Sequence, residues 1–244
     1  MLVTGGGRGI GAATCRLAAA RGWAVCVNYR SDGAAAEAVV AQIRAAGGRA
    51  LAVQADVSQE PEVLPLFAAV DQAFGRLDVL VNNAGILERQ GRLEDFDAAR
   101  INRVLAANVT GSLLCAREAV KRMSTRHGGR GGAIVNLSSI AARLGGPGEY
   151  IDYAASKGAI DAFTVGLAKE TAAEGIRVNA VRPGVIHTDI HASGGEPGRV
   201  ERVKSAVPML RGGQPEEVAR AILFLACDES SYCTGTFIEV TGGR

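Results

Sequence analysis

Cysteine is scarce in this sequence, and the way it is distributed limits the kind of protein. Five cysteines occur among 244 residues, and no two have the Cys-x-x-Cys spacing. An odd number of cysteines without that spacing suits a reducing compartment. We therefore expect a cytoplasmic protein, in which the cysteines that fall on apolar faces are ordinary core residues.

An excess of charge of either sign is also missing. Lys and Arg total 27 and Asp and Glu total 25, so the formal net charge is +2. This balance argues against nucleic acid or a membrane surface as a partner. No charge-free apolar run approaches the ~18 residues of a membrane span. The N-terminus runs directly into a glycine-rich loop and does not have the form of a signal peptide.

What the sequence does contain is a regular alternation of strand and helix patterns, with 48% hydrophobic and 21% charged residues. No linker, repeat or low-complexity segment interrupts it, so we expect one domain over residues 1–244. Alternation of this kind predicts an α/β fold of the Rossmann type: a doubly wound, parallel, seven-stranded sheet with helices on both faces. The predicted strands are residues 1–4, 24–28, 49–54, 79–82, 133–138, 177–181 and 237–240.

Two of the predicted helices carry details that the structure can test. Residues 60–74 follow Ser58, a plausible N-cap, and precede Gly75, a typical helix stop. Residues 95–127 read as a long helical region with a break near Ile101.

A glycine-rich loop lies between the first strand and the first helix. It includes Gly5, Gly7, Arg8, Gly9, Ile10 and Gly11. In a doubly wound sheet this position binds pyrophosphate at a helix N-terminus, and glycines let the backbone approach the phosphates. The alternative is a glycine-rich turn without a ligand, but the strand-turn-helix context favours a dinucleotide site.

The end of the second strand bears on which dinucleotide binds. An acid there would bond the ribose 2′-hydroxyl of NAD(H), but the strand ends Asn28-Tyr29-Arg30 and Asp32 comes late. Arg8 and Arg30 instead offer two cations to a 2′-phosphate. We therefore predict NADP(H) in preference to NAD(H), unless both arginines are ordinary surface residues.

A tyrosine and a lysine lie four residues apart in a predicted helix, residues 153–174. Tyr153 and Lys157 therefore share one helix face, where the ammonium group is expected to lower the pKa of the phenol. A phenol that titrates near neutral pH can exchange a proton with an alcohol oxygen. Alone the pair is weak, since such spacing occurs on many helices where Tyr packs and Lys reaches solvent.

Taken together, these motifs resemble the classical short-chain dehydrogenases/reductases over essentially the whole chain. The resemblance also includes Asn82-Asn83-Ala84-Gly85 and the run from Arg182 to Ile186. It implies an NADP(H)-dependent oxidoreductase that transfers hydride between nicotinamide and a carbonyl or secondary alcohol. By the same resemblance, the catalytic residues are Asn108, Ser139, Tyr153 and Lys157, with Ser138 as an alternate to Ser139.

The resemblance assigns further roles in cofactor binding. Asp56 and Val57 would contact the adenine, and Asn82, Ala84 and Gly85 the cofactor ribose. Val185 and Ile186 would contact the carboxamide, Thr188 the phosphates, and Lys157 the nicotinamide ribose. Asn108 would hold a water that links Lys157 to solvent. The complete cofactor set is Gly5, Gly7, Arg8, Gly9, Ile10, Gly11, Tyr29, Arg30, Asp56, Val57, Asn82, Ala84, Gly85, Tyr153, Lys157, Pro183, Gly184, Val185, Ile186 and Thr188.

Three other kinds of function are a regulatory protein, a serine hydrolase and a metal site. A catalytically silent, nucleotide-binding regulatory protein on the same fold would be expected to lack Tyr153, Lys157 or Ser139, and all three are present. A serine hydrolase would need a Gly-x-Ser-x-Gly elbow, which is absent. His187, Asp189 and His191 resemble a metal cluster, but no other His or Cys lies nearby, so we expect no metal.

Substrate identity depends on residues 87–95, 141–151 and 187–209, the last being a substrate-loop region. The chain is similar overall to 3-oxoacyl-carrier-protein reductases and to dehydrogenases of the glucose 1-dehydrogenase kind. Glu149, Tyr150, His187 and His191 predict a polar mouth, which argues slightly against a long apolar acyl chain as substrate. In relatives the helices near 95–127 and 153–174 form a tetramer interface, so the resemblance implies a homotetramer.

Overall fold

Seven parallel strands form one sheet in the computed structural model, which describes residues 1–244. Their order is β3-β2-β1-β4-β5-β6-β7, which confirms the doubly wound fold expected from the sequence. The strands are β1 (Leu2–Val3), β2 (Val25–Tyr29), β3 (Ala50–Gln54), β4 (Val79–Asn82), β5 (Gly132–Leu137), β6 (Ile176–Pro183) and β7 (Phe237–Val240).

Helices cover both faces of the sheet. They are α1 (Gly9–Ala20), α2 (Gly33–Ala45), α3 (Glu60–Phe74), α4 (Ala98–Leu105), α5 (Gly111–Met123), α6 (Ala141–Leu144), α7 (Ile151–Thr171), α8 (Ile190–Ser193), α9 (Arg199–Val203) and α10 (Pro215–Ala226). None of them is both long enough and apolar enough to cross a bilayer.

Strand β4 shows how the two faces are filled. Val79 and Val81 belong to the buried cluster on one side of the sheet, and Leu80 belongs to the cluster on the other side. Successive side chains of a strand point to opposite faces, so a strand covered on both sides needs a continuous apolar run. The two clusters fix the sheet between its helical layers.

The order of the strands reverses between β1 and β4, and a crevice opens at their carboxyl ends. Thr4, just after β1, ties the two strand ends together. Its hydroxyl oxygen accepts hydrogen bonds from the backbone N–H groups of Asn83 and Ala84, both at 3.0 Å. The loops after β1 and β4 are therefore held side by side at the edge where a dinucleotide would bind.

Two details of the helix predictions are wrong. The N-cap of α3 is Gln59, because the Ser58 hydroxyl instead donates to Asp56 Oδ1 at 2.7 Å. The interruption of the long helical region is a π-helical turn at Ala106–Thr110, whereas Ile101 lies inside α4. A π turn inserts an extra residue into the helix, and no local composition signal marks it.

Three of the five cysteines are predicted to be unreactive in the native protein. Cys15, Cys26 and Cys115 are buried, and burial raises the pKa of the Cys26 and Cys115 thiols to about 12. The thiolate is the reactive form of cysteine. These thiols are therefore unreactive both because reagents cannot reach them and because they stay protonated. With a disulfide reagent at pH 8, we expect at most two thiols, Cys227 and Cys233, to react before unfolding and five afterwards. Fast reaction of a third thiol in the folded protein would contradict this burial.

Candidate active site

A single cavity of about 850 Å³ occupies the crevice at the carboxyl ends of the strands. Eighteen of the twenty-two residues predicted for the site line it. They are Gly5, Gly7, Arg8, Gly9, Ile10, Arg30, Asp56, Val57, Ala84, Gly85, Ser139, Tyr153, Lys157, Pro183, Gly184, Val185, Ile186 and Thr188. The fold thus brings residues from the ends of six strands, β1 to β6, to one elongated space.

The remaining four predicted residues lie outside the cavity wall. Gly11 allows close packing, since a Cβ there would overlap the Gly5 carbonyl oxygen. Tyr29 packs its ring against Gly33. Asn82 is buried and donates to the Ser112 carbonyl and to Asn136 Oδ1. These three support the loops that form the site.

Asn108, the fourth, is carried by the π-helical turn and clamps the segment after β4. Its Oδ1 accepts from the Ile86 N–H at 2.7 Å, and its Nδ2 donates to the Ile86 carbonyl at 3.1 Å. A Cβ placed on Gly85 would lie 3.3 Å from Asn108 Oδ1 and 3.7 Å from Lys157 Nζ. Asn108 therefore borders the lysine, while its side chain bonds the backbone of Ile86 and the Ser156 hydroxyl.

The glycine loop has the form of a phosphate cradle. Gly5 and Gly9 have φ values of +61° and +50°, a region that favours glycine. The first turn of α1 contains no acidic residue, so no carboxylate neutralises the positive end of the helix dipole. Across the cavity, Thr188 lies so near that a Cβ on Gly9 would be 3.1 Å from its methyl group. A pyrophosphate would carry negative charge to the positive end of α1, and the glycines would let it approach the backbone closely.

Two arginines, one in the glycine loop and one just after β2, have no acidic partner. Arg8 and Arg30 are exposed, line the cavity and form no ion pair. Asp32, the acid nearest in sequence to the end of β2, accepts from the Ala35 N–H and so caps α2. A phosphate at this end of the cavity would therefore meet two guanidinium groups that no carboxylate already binds.

Sequence reasoning missed Asn28 as a support of the glycine loop. Its Oδ1 accepts from the Gly5 N–H at 3.3 Å, and its Nδ2 donates to the carbonyls of Val53 and Ala55. The amide thus links the ends of three strands. A polar residue at the end of an otherwise apolar strand was the signal available in the sequence.

Ser139, Tyr153 and Lys157 meet at the far end of the cavity. Ser139 Oγ accepts from the Ala141 N–H and lies beside Tyr153, whereas Ser138 Oγ donates to Asp161 Oδ1 at 2.6 Å. The geometry therefore favours Ser139 over Ser138 as the serine that faces a substrate. Lys157 Nζ lies 5.5 Å from the centroid of the Tyr153 ring and donates to the Leu137 carbonyl at 2.6 Å.

The expected lowering of the tyrosine pKa by lysine does not occur in this arrangement. Burial raises the pKa of Tyr153 to about 12, and the neighbouring Ser139 hydroxyl only partly opposes the rise. Burial lowers the pKa of Lys157 to about 8. Both shifts have one physical cause, since an apolar surrounding disfavours the charged form of each group. The sequence prediction considered the lysine charge and omitted desolvation.

The 187–209 segment, which includes α8 and α9, forms the outer wall of the substrate end. His191 lines the cavity and its Nε2 contacts the Ile186 carbonyl at 3.0 Å, while His187 lies outside the wall near Gly212. Glu149 and Tyr150 also line the cavity, as expected for a polar mouth. Arg199, which the sequence did not single out, is buried in the same wall.

The chain is similar to known proteins over almost its whole length. A family model described as enoyl-(acyl carrier protein) reductase matches residues 5–244. The chain is 61% identical to the uncharacterized oxidoreductase YgfF of Escherichia coli K12, over all of this chain and 98% of that protein. It is 44% identical to a 3-oxoacyl-[acyl-carrier-protein] reductase of Synechocystis, over 99% and 95% of the two chains.

A solved structure is similar in its fold throughout. This short-chain dehydrogenase from Burkholderia cenocepacia, in complex with NADP, superposes with a TM-score of 0.90 at 36% identity. The match covers 99% of this chain and 96% of the other.

Proposed function

Because the chain belongs to the classical short-chain dehydrogenase/reductase family and is an NAD(P)-dependent enzyme acting on CH–OH groups, we propose that it uses NADP(H) to interconvert a ketone and a secondary alcohol. The observation that carries the proposal is that one cavity holds a proton-transfer group at one end and phosphate-binding arginines at the other. Ser139, Tyr153 and Lys157 lie at one end, and the unpaired Arg8 and Arg30 lie at the other. The comparisons offer no support for a catalytically silent protein.

The residues that would hold the cofactor follow the length of the cavity. Arg8 and Arg30 would bind the 2′-phosphate, the glycine loop and Thr188 the pyrophosphate, and the backbone of Val185 and Ile186 the carboxamide. When bound, the nicotinamide supplies or accepts the hydride. Asp56 has its Oδ1 engaged with the Ser58 N–H and hydroxyl, which orients the carboxylate beside the adenine end.

The chemistry assigned to the protein is proton transfer and charge stabilisation at the substrate oxygen. In the reductive direction, Tyr153 donates its phenolic proton to that oxygen while Ser139 donates a second hydrogen bond. The raised pKa of Tyr153 keeps the phenol protonated, which is the form that this step requires. Lys157 donates one N–H to the Leu137 carbonyl. Its other two N–H groups can bond a ribose hydroxyl and the water that links Lys157 to solvent.

Asn108 is proposed to act in that path by fixing its neighbours. Its side chain holds both polar groups of Ile86, beside Gly85 and Lys157. A water at Lys157 would therefore be positioned by a rigid segment.

The substrate proposed is a small ketone or hydroxy compound with polar groups. The substrate end combines Glu149, Tyr150, His191 and Arg199 with a few apolar side chains such as Leu144 and Ile190. Charged and hydrogen-bonding groups at the wall cost free energy when an acyl chain removes them from water, even where they bond each other as Arg199 and Glu149 do. Sugars and short hydroxy acids suit this wall better than long acyl thioesters.

The test of the proposed function is a fluorescence titration of the purified protein with NADPH and NADH, followed by a panel of carbonyls, polyols and acyl thioesters. We expect tighter binding of NADPH and turnover of a small polar carbonyl. No nucleotide binding would overturn the proposal. Binding without turnover of any substrate would favour a regulatory protein.

We also infer a cytoplasmic homotetramer, on the strength of the family resemblance. The interface would include α5 and α7, and α5 presents Leu113 with 41% of its surface exposed. Light scattering is expected to give four times the chain mass of 25.2 kDa. A mass of one chain would contradict this assembly.

A further inference from the structure

Four charged side chains join the 187–209 segment to the loop before α7. Arg199 donates to both carboxylate oxygens of Glu149, at 3.0 and 2.6 Å, and to Glu196 at 3.2 Å. Arg202 donates to the same two acids, at 3.1 Å to Glu149 and 2.9 Å to Glu196. The substrate-loop region is therefore fastened to the body of the protein at this cluster.

The two arginines differ in what else they contact. The Arg199 side chain is 9% exposed, lines the cavity and places its guanidinium 4.7 Å from the centroid of the Tyr150 ring. The Arg202 side chain is 50% exposed and does not line the cavity. A guanidinium over an aromatic face is attractive, most strongly where water is excluded. Arg199 alone therefore holds an aromatic ring of the site.

That ring lies against Tyr153. Tyr150 and Tyr153 have ring centroids 6.4 Å apart and planes at 75°, an edge-to-face pair. The Tyr150 hydroxyl accepts from Gln90 Nε2 at 3.0 Å, and Tyr150 is the residue directly before α7. Its ring is thus fixed on one edge by Gln90, on one face by Arg199, and packs against the tyrosine that carries the proton.

We propose that Arg199 is a positioning residue for the reaction. When the 187–209 segment packs against the loop before α7, Arg199 holds the Tyr150 ring in place, and that ring orients Tyr153. The inference rests on the proposed function, because it assigns Tyr153 the proton transfer. A misplacement of an acid by a fraction of an ångström slows proton transfer, since the hydrogen bond to the substrate oxygen must form in the transition state.

The first test compares Arg199→Met with Arg202→Met. Each variant removes one arginine from the same two acids, but only the first removes the contact with Tyr150. At saturating substrate, and normalised to NADPH-binding sites, we expect kcat to fall about tenfold in R199M, equivalent to ~1.4 kcal/mol of barrier. R202M should stay within twofold of wild type, and the Kd for NADPH should be unchanged in both. An equal loss of kcat in R202M would overturn the proposal.

A double-mutant cycle with Tyr150→Ala tests whether Arg199 acts through Tyr150. We expect R199M to lower kcat no further in the Y150A background, because the ring it positions is gone. Additive losses would overturn the proposal. Amide hydrogen exchange over 187–209 should be faster in R199M. If exchange is faster but kcat per site is unchanged, Arg199 has a structural role only and the proposal is wrong.

The two proposals fail in distinguishable ways. A wild-type protein that neither binds NADPH nor turns over any carbonyl refutes the proposed function. An active wild-type protein whose R199M variant matches it refutes only the role of Arg199.

Discussion

Tyr153→Phe is expected to lower kcat for carbonyl reduction by about a thousandfold, within the range of a lost general acid. The substitution removes the phenolic oxygen and keeps the ring, so the edge-to-face contact with Tyr150 at 6.4 Å remains. NADPH binding should stay within twofold, because the phosphate-binding residues lie at the other end of the cavity. Steady-state kinetics and a fluorescence titration measure the two quantities separately.

The same substitution at Tyr232 is the matched control for this experiment. Tyr232 is fully exposed and lies outside the cavity, so Tyr232→Phe should leave kcat and cofactor affinity unchanged. Turnover by Tyr153→Phe within tenfold of wild type would remove Tyr153 from the proton-transfer role. The Ser139 hydroxyl would then be the first group to test.

The second large effect is expected from removing the two unpaired arginines. In an Arg8→Ala/Arg30→Ala double variant, KM for NADPH should rise about a hundredfold. Each charge-assisted bond to a phosphate at an exposed site is taken as roughly 1.4 kcal/mol, the low end of its range. KM for NADH should change less than threefold, because NADH has no 2′-phosphate. Initial rates with each cofactor at fixed carbonyl concentration give both constants.

A charge-matched control distinguishes this specific effect from a loss of general positive charge. Arg21 and Arg49 are also exposed, form no ion pair and lie outside the cavity. The Arg21→Ala/Arg49→Ala variant has the same net charge as the first, and we expect it to keep the NADPH preference. Equal KM values for NADH and NADPH in the wild-type protein would refute the cofactor assignment.

Much of the fold was predictable because its signals are local. Strand β4 is found at the predicted residues 79–82 and β7 at 237–240, since apolar runs between turn residues mark strands directly. The π-helical turn at Ala106–Thr110 was missed because its cause is tertiary. It places Asn108 where the side chain can bond Ile86, 22 residues away, and such a contact has no signature in local composition.

For the site, the sequence by itself determined which chemical groups are present and how those near in sequence are spaced. The glycine loop opens onto α1, and Tyr153 and Lys157 fall on one helical face, because turn and helix geometry follow from a few consecutive residues. The tertiary structure decided what depends on distant residues and on burial. It engages the Ser138 hydroxyl with Asp161 and places Ser139 beside Tyr153, and it sets the direction of the tyrosine pKa by desolvation. It also brought Arg199 to Glu149 across 50 residues of chain, because only the folded sheet places α9 beside the start of α7.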